Sequence, residues 1–514
     1  MKETSRLVKI FVCLMALVCC TSASFGQAHH VRVAKRAYAI TGEPFVQRVI
    51  ADSGYLATPV QLPRGLSWNP ARHQIEGTVR EVGTYTYIVQ TVAATPSTPI
   101  ESDTIILTVC KKLPQRTPFM GMLTWNVLED HVSGAHLQML ADAMVDCGLR
   151  DAGYTYLCID DCWALRERDA QGRLVPDPQK FPNGLRAVTK YLHHKGLRAG
   201  IYSDAGARTC SGAQPGSLGH EETDAHSFAQ WGFDLLKYDF CHSDCTSDTC
   251  AIRYYAAMHD ALRTHTSDQF IYYICEWGHL KPWLWADAAG GSCWRATDDT
   301  RDCWINETYR GGVLDNIRIF TQIWPYTGIN HYSDADMLMC GLHGQGRSSN
   351  AGTNGQGLSS DEYRTQFILW CMWSSPLTLC FDITTLYDGH SRISDLYNPH
   401  FGDDRALVTN TTLIAIDQDP LGQAAEPIRY DSLTLQLLKP LQNGRYALSL
   451  TNLSNQTKTF SVNLNSIQGF STGHFTIQRL NVSTNMLEST TSSTTIHATL
   501  DAHATELYIL TPQP

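Results

Sequence analysis

Beyond residue 26 the sequence has no run long and apolar enough to span a bilayer. It has no surplus of positive charge either. Lys and Arg number 40 against 50 Asp and Glu, for a net charge of −10, and a mildly acidic chain is a poor candidate for wrapping nucleic acid. Charged residues make up only 18% and hydrophobic ones 43%, which excludes a disordered chain or a coiled coil. No His-x-His or comparable ligand set ends a candidate strand, which argues against a metal-dependent hydrolase. Cys241-x₃-Cys245-x₄-Cys250, with His242, lacks the Cys-x₂-Cys knuckle of a zinc site, so a disulfide or free thiols are expected there. What the chain does have is length, 514 residues, enough for about three domains. It also has 12 Trp, 22 Tyr and 16 Phe, a surplus that suits polar-ligand pockets as well as core.

Residues 1–26 read as an export signal. Lys2, Arg6 and Lys9 form a basic start, an apolar run follows from Ile10 to Cys20, and Ser24-Phe25-Gly26 suits cleavage. Leu17-Val18-Cys19-Cys20 faintly resembles a lipid-attachment motif, which ranks second to simple export to the periplasm, cell surface or medium. Three of the 17 cysteines fall within this segment, and the other 14 would reach a compartment where disulfides persist.

Three regions follow. Residues 27–112 hold short alternating runs such as Gly83–Gln90 and Thr104–Val109, a small β-sandwich whose Leu-Pro-x-Gly-Leu-x-Trp and Gly-x-Tyr-x-Tyr pattern resembles Ig-like modules of bacterial surface proteins and glycosidases. It shows no chemistry, so a spacer or accessory role is expected. Residues 113–425 alternate short apolar strands with amphipathic stretches, among them 134–152, 184–195, 224–231 and 252–264. That repeat over about 300 residues predicts a (β/α)₈ barrel, a TIM barrel. Residues 426–514 return to β-type alternation, with a hairpin signal at Asn443-Gly444, and predict a second antiparallel β-sandwich.

Barrel enzymes take their reactive side chains from the C-terminal ends of the strands. The candidate exits read Trp125-Asn126, Asp160-Asp161-Cys162-Trp163, Tyr202-Ser203-Asp204, Lys237-Tyr238-Asp239, Cys275-Glu276-Trp277, Asp298-Asp299 and Asp334-Ala335-Asp336. One Asp in a loop is as often a turn or cap residue, but so many together predict one converging polar pocket. Carboxylates without a matching histidine set suit sugar chemistry. They accept from paired hydroxyls, and glycoside cleavage needs two carboxyls. Lys237, two residues before Asp239, shares its strand face and would help keep that carboxyl ionised.

These motifs are similar to those of family 27 glycoside hydrolases, the melibiase-type α-galactosidases. The matching segments are Thr117–Gly121 with Trp125, Tyr156–Trp163, Phe181–Leu185, Lys195–Tyr202, Trp231–Asp239, Cys275–Trp277, Trp294-Arg295, Asp334–Leu338 and Ile416–Gly422, in order across 117–425. The resemblance implies a secreted, retaining exo-α-galactosidase that acts on a carbohydrate and needs no metal or cofactor. It implies Asp239 as nucleophile and Asp299 as general acid/base, with neighbouring Asp298 the competing choice. It places Asp160 and Asp161 at the 4- and 6-hydroxyls, Lys237 at the 3- and 4-hydroxyls, and Arg295 and Glu276 near the 2-hydroxyl. Trp125, Tyr202 and Met337 would shape the pocket, with Asp336 at its edge. It also implies a Cys210–Cys241 disulfide, with Cys275–Cys293 a weaker candidate pair.

The chain departs from the family at Met122, often Trp, and at Ser333 and Ala335 around Asp334, and no cysteine cluster follows the first strand. The loop Gly278-His279-Leu280-Lys281 also differs from the animal enzymes. Glu276 favours galactose over N-acetylgalactosamine, and the Asp160-Asp161 pair favours it over β-L-arabinopyranose. Those two sugars, and a non-catalytic sugar-binding protein, are the alternatives. Cys158, Cys371 and Cys380 sit in apolar runs and read as core. Asp417 and Asp419 read as structural. Asn306, Asn410, Asn452, Asn455 and Asn481 open glycosylation sequons.

Overall fold

The computed structural model describes residues 30–94, 99–306, 308, 310–351, 355–467, 474–489 and 494–513. The expected export signal at 1–26 lies outside these residues. Among the described residues no helix is long and apolar enough to cross a membrane.

The N-terminal region is a β-sandwich. One sheet runs in the order Arg36–Ile40, Glu101–Cys110, Gly83–Ala93, Tyr55–Val60, with the first pair parallel. A second sheet holds Phe45–Arg48, Gln74–Gly77 and Leu66–Asn69. Period-two alternation sends Tyr87, Val89, Ile105, Leu107 and Val109 into a core shared with Phe45 and Ile75.

The middle region is the predicted barrel. Its strands are β1 (Met120–Leu123), β2 (Tyr156–Cys158), β3 (Arg198–Asp204), β4 (Leu235–Asp239), β5 (Ile271–Ile274), β6 (Cys293–Arg295), β7 (Tyr332–Asp334) and β8 (Leu377–Leu379). Each is hydrogen-bonded in parallel to the next around the ring, β8 pairs with β1, and a bridge from Leu338 to Leu379 closes the circuit from β7 to β8. The strands are nearly continuous apolar runs because helices cover the outside and side chains fill the inside. There is little room to spare: a Cβ on Gly200 of β3 would meet Cys158 Sγ of β2 at 2.3 Å. The helix expected over 134–152 is two helices, Gly134–Asp146 and Leu149–Ala152. They are split at Gly148, whose φ of 81° reverses the chain.

The C-terminal region is the second β-sandwich. Its main sheet has the order Glu426–Tyr430, Thr434–Pro440, Tyr446–Asn452, Thr505–Pro512, Phe475–Asn481, Met486–Ser489, and a separate antiparallel pair joins Lys458–Asn463 to Thr495–Leu500. The barrel helix Ser360–Trp373, started by a Ser359/Glu362 capping box, packs against this sheet. Lys439 crosses the junction fully buried, donating to Cys371 O and Ser374 Oγ, each at 2.8 Å. Asp419 accepts from the amides of Leu421 and Gln442 and so ties the last barrel turn to the same domain, the structural role expected of it.

The N-terminal sandwich touches barrel residues that lie just before strands. Glu43 pairs with Arg116, Arg36 lies 3.7 Å from Asp287, and the Arg48 guanidinium sits over Trp324 while pairing with Glu426. Arg116, Asp287 and Trp324 precede β1, β6 and β7, so the module is seated on the face opposite the strand exits. Two of the sequon asparagines are spent on backbone. Asn410 caps helix Thr411–Asp417, and buried Asn452 donates to three carbonyls.

Candidate active site

The strand exits converge as the sequence predicts. Asp239 is the last residue of β4, Asp160 and Asp161 follow β2, Glu276 follows β5, and Arg295 ends β6. All five, with Lys237, are buried. Non-glycine residues in the left-handed region mark three of these exits: Cys162 (φ 68°), Trp277 (φ 58°) and Asp336 (φ 74°). Backbone held in that sparsely populated region concentrates at functional sites.

Lys237 Nζ donates to Asp160 Oδ2 at 2.9 Å and lies 5.4 Å from the Tyr202 ring centroid. Burial opposes its charge, but Asp160 and Asp239 outweigh that and hold the ammonium protonated. Asp160 is placed by the Thr124 hydroxyl on its amide, and its Oδ1 accepts from Asp161 N at 2.9 Å. Asp161 accepts from the amides of Cys162 (2.6 Å) and Ser211 (3.0 Å), which joins it to the β3 loop.

That loop carries the Cys210–Cys241 disulfide, which matches the expected pairing. Cys210 Sγ lies 3.3 Å from Asp239 Oδ2. Gly206 lets the loop close: a Cβ there would stand 1.9 Å from Cys241 O. Asp204, at the end of β3, accepts from the amides of Gly206 and Cys241 and so clamps both sides of the bridge. Burial, then the Asp239 charge, pushes Asp204 up to about 9. Asp204 and the two sulfurs form a ligand-like cluster, but disulfide sulfurs carry no thiolate for a metal.

Burial pushes Asp239 up to about 6 against the opposing pull of Lys237. Its Oδ1 is buried with no hydrogen-bond partner among the described residues. The Cys275 thiol also pulls the Asp239 pKa down, less than Lys237 does.

Asp298 and Asp299 diverge. Asp298 Oδ1 pairs with His279 Nε2 at 2.6 Å. Asp299, its side chain 45% exposed, turns toward Arg295: Arg295 Nη2 reaches its Oδ1 at 3.0 Å and Asn350 Nδ2 its Oδ2 at 3.3 Å. Burial raises the Asp299 pKa, but Arg295 and then Lys237 outweigh it, and the carboxyl is held below the usual range. The other edge of the Arg295 guanidinium lies 2.9 Å from Asp336 Oδ1.

Glu276 Oε2 accepts from Leu280 N at 2.6 Å, while Oε1 is buried with no hydrogen-bond partner among the described residues. Burial pushes this carboxyl up to about 8.

Several expectations change. Asp336 is not at the pocket edge. It is fully buried behind Arg295, which it orients. Tyr202 and Met337 are almost fully buried, as Asp160, Lys237 and Asp239 are, and the Tyr202 ring stands beside the Lys237 ammonium. Trp125 stands two residues beyond β1, opening a short helix, and keeps part of its surface exposed. Cys275 and Cys293 are both free. Cys293 lies opposite Tyr273 across β5 and β6, two residues out of step with Cys275, an offset that separates their Cα atoms by roughly 8 Å, beyond disulfide reach. The cysteines at 245 and 250 instead form a second bridge. Sequence reading missed Asn350, which sits in a glycine-rich stretch with no local signal of function.

Comparison with known proteins places this geometry. The family model described as alpha galactosidase A matches residues 117–419. An alpha-galactosidase from Oryza sativa subsp. japonica is 34% identical over 77% of this chain and 85% of its own length. Alpha-galactosidase A from Cellvibrio japonicus is 38% identical over 66% of this chain and 76% of its own. A solved chain from Bacteroides fragilis, provisionally described as an alpha-galactosidase/melibiase, superposes with a TM-score of 0.70 at 32% identity over 94% of this chain and 97% of its own, so the likeness extends through the terminal sandwiches. The chain belongs to the melibiase-type α-galactosidase family of glycoside hydrolases.

Proposed function

We propose that this chain is a retaining, exo-acting α-galactosidase that removes terminal α-D-galactosyl groups through a covalent intermediate on Asp239. The observation that carries this is the convergence of two carboxyls from the β4 and β6 exits. Asp239 is buried with one oxygen unpartnered among the described residues and a cation two residues away, while Asp299 faces it from the β6 exit in the grip of Arg295.

In the first step an Asp239 oxygen bonds to the anomeric carbon as the bond from that carbon to the leaving oxygen breaks, and Asp299 gives its proton to that oxygen. In the second, water oxygen bonds to the anomeric carbon as the bond to Asp239 breaks, and Asp299 takes the water proton. Retention follows from the two displacements. Lys237, Asp160 and Asp161 supply donors and acceptors for the hydroxyls on the far side of the ring. Glu276 fills the space beside the 2-hydroxyl and leaves no room for an acetamido group. These roles rest on motif and geometry together.

The test is hydrolysis of aryl glycosides. Turnover of α-galactoside at a kcat/KM well above that for N-acetyl-α-galactosaminide and β-L-arabinopyranoside is expected. Calorimetric binding of galactose without turnover of any of these substrates would replace the enzyme reading with that of a binding protein. Residues 1–26 as an export signal accord with two disulfide bridges in the remainder. N-terminal mass spectrometry of the mature protein distinguishes simple cleavage from lipid attachment. The position of the N-terminal sandwich, away from the strand exits, supports an accessory role.

A further inference from the structure

We infer that Asn350 is a positioning residue for proton delivery by Asp299. This rests on the reading of Asp299 as the general acid/base and goes beyond it, because Asn350 comes from the long loop after β7.

The described residues of this loop are anchored at several points. Asp302, fully buried just after Asp299, accepts from Gly344 N (2.7 Å), Leu358 N (3.1 Å) and Tyr363 OH (2.8 Å), so one carboxylate holds both ends of the loop. Asp302 N donates to Asn350 O at 3.0 Å, which fixes the backbone of Asn350 beside the β6 exit. On its other side Arg347 N and Ser348 Oγ bond to Asn126 at the β1 exit. Between these anchors Asn350, 8% exposed, directs Nδ2 to Asp299 Oδ2 at 3.3 Å.

The geometry divides the Asp299 carboxyl between two donors. Arg295 takes Oδ1 and Asn350 takes Oδ2. A carboxylate accepts both bonds more strongly than a carboxylic acid does. The Asn350 bond holds the carboxyl plane, and with it the proton-bearing oxygen, in line with the leaving oxygen as the proton passes. No new covalent step is required: the proton goes where the reaction already sends it.

The test is the leaving-group dependence of kcat/KM in Asn350→Ala and Asn350→Asp. Phenyl α-D-galactoside needs its leaving oxygen protonated, while 2,4-dinitrophenyl α-D-galactoside does not. The expected result for both variants is a loss of about tenfold or more on the phenyl substrate, with the dinitrophenyl substrate within about threefold of wild type. Equal losses on both substrates would show a merely structural or binding role, and no loss on either would show that the contact is idle. Either result overturns the inference. Asp299→Ala, measured alongside, is expected to show the same selectivity more strongly. If it shows none, the assignment of Asp299 as the acid has failed, a different failure from that of Asn350.

Discussion

Lys237 Nζ lies 2.9 Å from Asp160 Oδ2, and both side chains are more than nine-tenths buried. The pair joins β4 to the β2 exit and sets a cation beside the proposed nucleophile two residues later. It takes up one of three ammonium donors and leaves the others for hydroxyls.

Replacing Lys237 by Met leaves Asp160 buried without its partner, a change that costs about 3–5 kcal/mol. The variant is expected to unfold several degrees earlier and to lose at least about a hundredfold in kcat/KM. Lys237→Met with Asp160→Asn should regain most of the thermal stability and none of the activity. Calorimetry of the two variants checks this. An unchanged melting temperature in the single variant contradicts it.

The pH profile follows from the two carboxyls. The first step needs Asp299 protonated and Asp239 ionised. In the free pocket Asp299 lies below the usual carboxylate range and Asp239 near 6, so the working form is the minor arrangement of the singly protonated pair. Its share is constant between the two values and falls above about pH 6, because both groups are then ionised. With phenyl α-D-galactoside kcat/KM is expected to decline as pH rises through about 6. With the dinitrophenyl substrate, which needs only ionised Asp239, it is expected to rise through the same value. A phenyl-substrate profile that stays flat or rises from pH 6 to 8 would place the proton on Asp299 in the free enzyme.

The Cys210–Cys241 bridge closes a span of 31 residues, a loop whose entropy is worth roughly 3–4 kcal/mol. Cys210→Ser with Cys241→Ser should lower the melting temperature. It should also reduce kcat more than KM, because the bridge braces the Asp239 carboxyl rather than the sugar ring. Thermal unfolding and steady-state kinetics measure both. Wild-type kinetics in the double variant would show that the bridge supports only the fold.

Glu276→Ser opens the space beside the 2-position. The ratio of kcat/KM for galactoside over N-acetylgalactosaminide is expected to fall by about tenfold or more. A ratio that does not move would place the 2-substituent elsewhere.

The barrel was legible because its buried strands are short apolar runs that each end in a polar cluster. The Asp160-Asp161, Lys237-Tyr238-Asp239 and Cys275-Glu276 exits could be found by that rule alone. Choosing between Asp298 and Asp299 was not open to it. Adjacent residues point in different directions, and what separates this pair is that one meets His279 and the other Arg295, contacts made across loops. The burial of Asp336 was hidden for the same reason. Its place behind Arg295 depends on a left-handed turn after β7 that no local residue announces. Asn350 reaches Asp299 only through the Asp302 clamp, a contact across about fifty residues of chain that periodicity does not encode.

The most direct test of the central claim is p-nitrophenol release from p-nitrophenyl α-D-galactoside by the wild-type protein and by Asp239→Asn. The account predicts ready release by wild type and a loss of about a thousandfold or more in the variant with its fold intact. No release by the wild type, or undiminished release by Asp239→Asn, would contradict it.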